Sequence, residues 1–163
     1  MINKDSNRVY YLMKCARHSC YGLIQITMND DQLMDLFNIM FKRNPDDPEI
    51  ENNLAMTAML FDAQELKPYD LAQAVYAKYP KKPNYASTYA FSLYKQGKNA
   101  EALKVMQQLT PKDLESPAIA GYYGLILKAN GNQSEAKAYL DRISKAQLMP
   151  EEQALFDQAM KGL

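Results

Sequence analysis

The sequence has no tryptophan, one histidine, two cysteines and six glycines among 163 residues. Each scarcity removes a class of protein. Two cysteines do not make a disulfide framework, so a reducing compartment is compatible with the composition. No stretch of about 18 apolar residues is present, and no membrane-spanning helix is expected. Charge of one sign is missing as well: Lys+Arg is 19 and Asp+Glu is 19. A balanced chain lacks the electrostatic footprint that nucleic acid or an acidic membrane surface requires. Neither a phosphate-cradling loop nor a glycine-rich dinucleotide fingerprint occurs. The opening Met-Ile-Asn-Lys-Asp-Ser-Asn-Arg lacks the apolar core of a signal peptide, which favours the cytoplasm as the compartment.

The reactive side chains that do occur are crowded into one place. Cys15, His18 and Cys20 fall within six residues. On a helix turning about 100° per residue, Cys15 and His18 are about 60° apart, whereas Cys20 points about 140° from Cys15. Three such ligands do not converge on one tetrahedral ion, and no second Cys or His pair completes a site, so no metal or cofactor is expected. A Cys–His nucleophile would also need oxyanion donors, and no loop of that kind is recognisable. A cysteine-dependent enzyme is kept as the competing class, and its first requirement is a thiol of perturbed reactivity. Asp30-Asp31 and Asp46-Asp47 resemble catalytic acid pairs, but both stand at expected helix starts, where they cap and complement the dipole. Asn132-Gln133-Ser134 matches a glycosylation sequon, a short signal that arises often by chance.

What the sequence has in quantity is helix formers and an internal repeat. Ala, Leu, Met, Lys, Gln and Glu are plentiful, and no window alternates like a half-buried strand. Gly97 and Gly131 are 34 residues apart, and the same interval separates Tyr89 from Tyr123, Glu101 from Glu135 and Ala102 from Ala136. Each unit reads as a helix ending at a glycine, which takes the left-handed cap conformation without steric cost, followed by a polar turn and a second helix opening on Glu-Ala. Asn132-x-x-Glu135 and Asn29-x-x-Gln32 have capping-box spacing. Small residues (Ala90 or Gly124 on the first helix, Ala102 or Ala136 on the second) mark the crossing, and Met106 and Leu140 fill the groove between neighbours.

On these residues the chain resembles the tetratricopeptide repeat (TPR) family, whose unit has a Leu-Gly-x-x-Tyr segment, then Ala-x-x-x-Phe, then Pro. The first-helix pattern appears as Leu54-Ala55-x-x-Ala58, Tyr89-Ala90-x-x-Leu93 and Tyr123-Gly124-x-x-Leu127. The second-helix pattern appears as Ala72-x-x-x-Tyr76, Ala102-x-x-x-Met106 and Ala136-x-x-x-Leu140. The family's tryptophan is replaced by Arg17, Glu51, Ala86 and Ala120. The resemblance implies an all-α chain, an α-solenoid of antiparallel helix pairs wound as a right-handed superhelix. Its approximate repeats are 9-45, 48-80, 83-115 and 117-147, with a capping helix over 150-161. A different α-solenoid or a plain helical bundle are the alternative folds. The second repeat has an altered rhythm, with Pro68 lengthening its inner turn and Pro80-Lys81-Lys82-Pro83 closing it early.

The resemblance also implies a function: a scaffold without catalytic activity that binds a peptide or a partner's helix in a concave groove lined by the first helix of each pair. Carried onto this sequence, the groove positions are His18, Asn52, Met56, Met59, Ser87, Phe91, Tyr94, Lys95, Leu125 and Lys128, with Cys15, Gly22, Gln25 and Gly121 beside them. The set is apolar in the middle and polar at the edges, which suits a short segment with one or two apolar anchors. It lacks the paired lysines and asparagines with which one branch of the family clamps a terminal carboxylate. The opposing reading of Met56, Met59 and Phe91 is that they only pack helix against helix. Two further readings are a fragment of a longer repeat protein and a homo-oligomer formed through the N-terminal end, where Val9-Tyr10-Tyr11-Leu12 is an apolar run.

Overall fold

In a computed structural model, residues 30–143 and 148–163 are described. Cys15, His18, Cys20, Gly22, Gln25, the Val9–Leu12 run and the expected Asn29 cap lie outside them. Among the described residues every regular element is helical, as the composition predicts. The order is α1 (Asp30–Arg43), α2 (Pro48–Leu60), a 3-10 turn (Gln64–Leu66), α3 (Pro68–Lys78), α4 (Pro83–Lys95), α5 (Asn99–Met106), α6 (Pro111–Leu114), α7 (Pro117–Ala129), α8 (Gln133–Leu140) and α9 (Pro150–Met160).

Proline sets most of these starts. Six of the eight prolines stand at the first position of a helix, where the missing N–H would be unpaired in any case and the fixed φ already suits the helix. The ends are set by the left-handed cap. In α4 the Lys98 N–H donates to the Leu93 carbonyl at 2.9 Å and the Gly97 N–H to the Tyr94 carbonyl at 2.9 Å. In α7 the Asn132 N–H reaches Leu127 at 3.0 Å and the Gly131 N–H reaches Lys128 at 2.9 Å. Both are Schellman motifs, with Gly97 at φ 76° and Gly131 at φ 85°. At the end of α2, Asp62 holds the same position with φ 54°, and the Ala63 N–H donates to the Ala58 carbonyl at 2.9 Å. The 3-10 turn and a second left-handed residue, Lys67 at φ 50°, then carry the chain to Pro68. This is the lengthened inner turn that the second repeat's sequence suggests.

Short connections make chain neighbours antiparallel. Packing follows chain order, with α1 on α2, α2 on α3, α3 on α4, α4 on α5 and α7 on α8. The first helices also touch one another, α2 against α4, α4 against α7 and α7 against α9. The small residues sit at the crossings: Ala55, Ala90, Ala102 and Ala136 are buried, and a Cβ added to Gly124 would lie 2.8 Å from Leu140 Cγ. Met106 and Leu140 are buried between the helices, as their place in the repeat requires. The expected capping box at Asn132 does not form, because no side chain caps α8. Its Glu135 instead pairs with Tyr123, whose hydroxyl pKa is raised by burial first and by Glu135 second. Helix α6 is four residues opened by a reciprocal Thr110–Asp113 cap, and it has no counterpart in the repeat pattern.

Candidate functional site

The groove residues occupy matching positions in three helices. Counting from the starting proline, the fifth, ninth and twelfth residues are Asn52, Met56 and Met59 in α2, Ser87, Phe91 and Tyr94 in α4, and Gly121, Leu125 and Lys128 in α7. Steps of four and three keep them on one face of each helix. Helix α2 packs on α4 and α4 on α7, so the three sets of positions make a candidate stripe across the packed helices.

Much of that stripe is consumed by packing. Met59, Phe91 and Leu125 are buried in a single cluster with Tyr122, Leu140, Phe156 and Ala159. The Phe91 ring stands 4.9 Å from Tyr122, and Tyr122 stands 5.3 Å from Phe156 in an edge-on contact. An aromatic line thus runs from α4 across α7 to α9. Met56 and Tyr94 are only partly buried against the cluster. Burial raises the Tyr94 hydroxyl pKa, and the Lys95 charge offsets part of the rise. Lys95 spans to Asp62 at 2.7 Å, tying the end of α4 to the cap of α2.

At the far end the stripe is covered by α9. Tyr122 donates a short hydrogen bond to Glu152, which also accepts the Met149 N–H at 2.9 Å. Lys128 donates to the carbonyls of Ala159 and Lys161, the latter at 3.0 Å, so a cation meets the negative end of the α9 dipole. Early residues of α7 therefore meet early residues of α9 and late meet late, so the two helices are parallel. Gly121 makes this approach workable: a Cβ there would come within 2.7 Å of Phe156 Cζ. Lys128 and Leu125 are held by α9. The sequence places a helix at 150–161 but gives no sign that it would lie on these positions.

Six polar residues on α2 and α4 are buried: Glu51, Asn52, Thr57, Ser87, Thr88 and Ser92. Asn52 Oδ1 and Ser87 Oγ, both at the fifth position, have no hydrogen-bond partner. Glu51 is only 7 % exposed, and its carboxyl is pushed above the ordinary value by burial; Lys78 pulls it down and Asp46 pushes it up. Among the described residues no group of three His, Cys, Asp or Glu side chains is placed to hold a metal ion. An apolar recess between α8 and α9, lined by Leu140, Ile143, Leu148, Phe156 and Met160, has about 30 Å³ of room, far below what a small-molecule pocket needs. No helix among the described residues is long and apolar enough to cross a membrane. Comparison with protein-family models, curated proteins and solved structures finds no match.

Proposed function

We propose that the chain is a non-enzymatic protein–protein interaction scaffold, a TPR-like solenoid whose first-helix stripe receives a short extended peptide or a partner helix. The observation that carries this reading is the packing of α2 on α4 and of α4 on α7, which brings matching positions of successive repeats into line. Stacked helix pairs present such a stripe to a partner as a repeated surface. Binding falls to the part not consumed by packing, namely Met56, Tyr94 and Lys95. The first two offer partly open apolar surface, and Lys95 is a cation whose present partner, Asp62, is itself mostly exposed. A ligand with an apolar anchor and a nearby carboxylate fits that trio, because the carboxylate can replace Asp62 on Lys95. The unpartnered Asn52 and Ser87 atoms add support. They sit at the same position of α2 and α4, where a ligand's polar group would satisfy them, and Asn99 Oδ1 at the start of α5 is likewise unpartnered.

The test is selection of peptides from a display library on the folded protein. Enriched sequences should pair an acidic with an apolar residue, and Tyr94→Ala and Lys95→Glu should each weaken them about tenfold or more with the helical circular dichroism unchanged. Peptides that bind the wild type and both variants equally would place recognition elsewhere.

A further inference from the structure

Two connecting turns in this chain have the same backbone and opposite charge. The turn between α1 and α2 reads Pro45-Asp46-Asp47-Pro48, and the turn between α3 and α4 reads Pro80-Lys81-Lys82-Pro83. In the first, the Asp47 N–H donates to the Asn44 carbonyl at 3.1 Å; in the second, the Lys82 N–H donates to the Tyr79 carbonyl at 3.1 Å. The residue before the second proline has φ −84° and ψ 108° in one and φ −87° and ψ 116° in the other. All four charged residues are exposed.

Their placement follows from the packing. Both turns deliver the chain into a first helix, and those helices, α2 and α4, run in the same sense in contact. The turns therefore share one edge of the molecule, separated by about the 8–10 Å of packed helix axes. Asp46, Lys81 and Lys82 take part in no ion pair among the described residues, whereas one oxygen of Asp47 caps α2, accepting the Glu49 and Ile50 N–H groups at 2.9 and 3.4 Å. The large hydrophobic side chains most open to solvent flank the same edge. Ile39, 48 % exposed, lies on α1 ahead of the acidic turn, and Tyr79, 41 % exposed, begins the basic one.

We propose that two copies of the chain associate about a two-fold axis along this edge, the Asp46–Asp47 turn of each copy seated on the Lys81–Lys82 turn of the other. A two-fold contact is self-complementary, so one acidic and one basic turn per chain form two equivalent sets of pairs. Of the other charges nearby, Lys78 adds to the basic side, although its charge also acts on Glu51 of its own chain. Lys42 and Arg43, in the last turn of α1, oppose the acidic side and hold the pairing to a weak one. Ile39 and Tyr79 supply the apolar surface that charge alone lacks. The formal net charge of zero imposes no global repulsion on such a pair. This contact is distinct from stacking through the N-terminal end and does not rest on the groove reading.

The test is molar mass by sedimentation in low salt and at about 1 M salt, where screening acts within about 3 Å. Wild type is expected to approach twice the chain mass at low salt and return to monomer at high salt. Lys81→Glu/Lys82→Glu, and separately Asp46→Lys, should each weaken the dimer about tenfold or more. An equimolar mixture of the two variants should associate again, since each supplies the charge the other lost. That recovery cannot come from misfolded chains. A wild type that stays monomeric up to about 1 mM, a concentration that detects even weak contacts, overturns the proposal. So does a dimer indifferent to both reversals, which would point to another face, or a mixture that stays monomeric.

Discussion

Gly121 and Gly124 are three residues apart on α7, yet each is small for a different neighbour. Gly124 admits Leu140 from α8 of its own pair, and Gly121 admits Phe156 from α9. Gly121→Ala should cost about 1–3 kcal/mol by overpacking, measured by urea unfolding. In a Phe156→Ala background part of that cost should vanish, Ile143 Cδ1 at 3.0 Å still standing against the new Cβ, giving a coupling of about 0.5–3 kcal/mol in a double-mutant cycle. Glu51 yields a prediction in pH. Burial raises its folded carboxyl pKa above the ordinary value, so its contribution to stability is fully present below the unfolded pKa and is lost as pH rises through the folded one. Glu51→Gln should therefore be more stable than wild type at neutral pH, with the difference closing by about pH 4 as the wild-type carboxyl protonates. Unfolding of both proteins across that range checks the sign.

Helix ends were the features most legible in the sequence, because proline and glycine act through local backbone geometry. Pro48, Pro68, Pro83, Pro117 and Pro150 each open a helix, and Gly97 and Gly131 each close one. Around a Cβ added at Gly131 there is open space, so Gly131→Ala isolates the cost of the left-handed conformation. About 1–2 kcal/mol is expected from thermal or urea unfolding. The side-chain cap at Asn132 was less legible: the spacing was right, but Tyr123 from the neighbouring helix competes for Glu135. The stripe was half legible. Spacing groups Met59, Phe91 and Leu125 on one face, but whether that face is open depends on how closely successive first helices approach. At the α7–α9 contact that closeness depends on Gly121, where a side chain would meet Phe156. For the same reason the covering of Leu125 and Lys128 by α9 was not readable from either helix alone.

Over the described helices, packing runs mostly between neighbours along the chain and between matching helices of adjacent pairs, with α5 also meeting α7. Stability in such an arrangement is close to a sum of local and nearest-neighbour terms, so opening should begin at the ends. Native-state hydrogen exchange is expected to find the slowest amides in α4 and α7, each packed on other helices from both directions, and faster ones in α9. Uniform protection throughout would mean a single cooperative core instead. Opening of α9 would free Lys128 and uncover Tyr122, so this end of the stripe is less permanent than the α2–α4 part.

The helices α4 and α5 span Pro83–Lys95 and Asn99–Met106, and α7 and α8 span Pro117–Ala129 and Gln133–Leu140, the same lengths displaced by 34 residues. Helices α2, α4, α7 and α9 each touch the next in that series. On the solenoid reading proposed above the chain should be extendable: residues 83–116, copied and inserted after Ser116, would place a second α4–α5 pair between α5 and α7. The lengthened protein is expected to fold with one more helix pair and a higher unfolding midpoint. Molecular length, unlike the identity of any single residue, is a variable that this architecture leaves free.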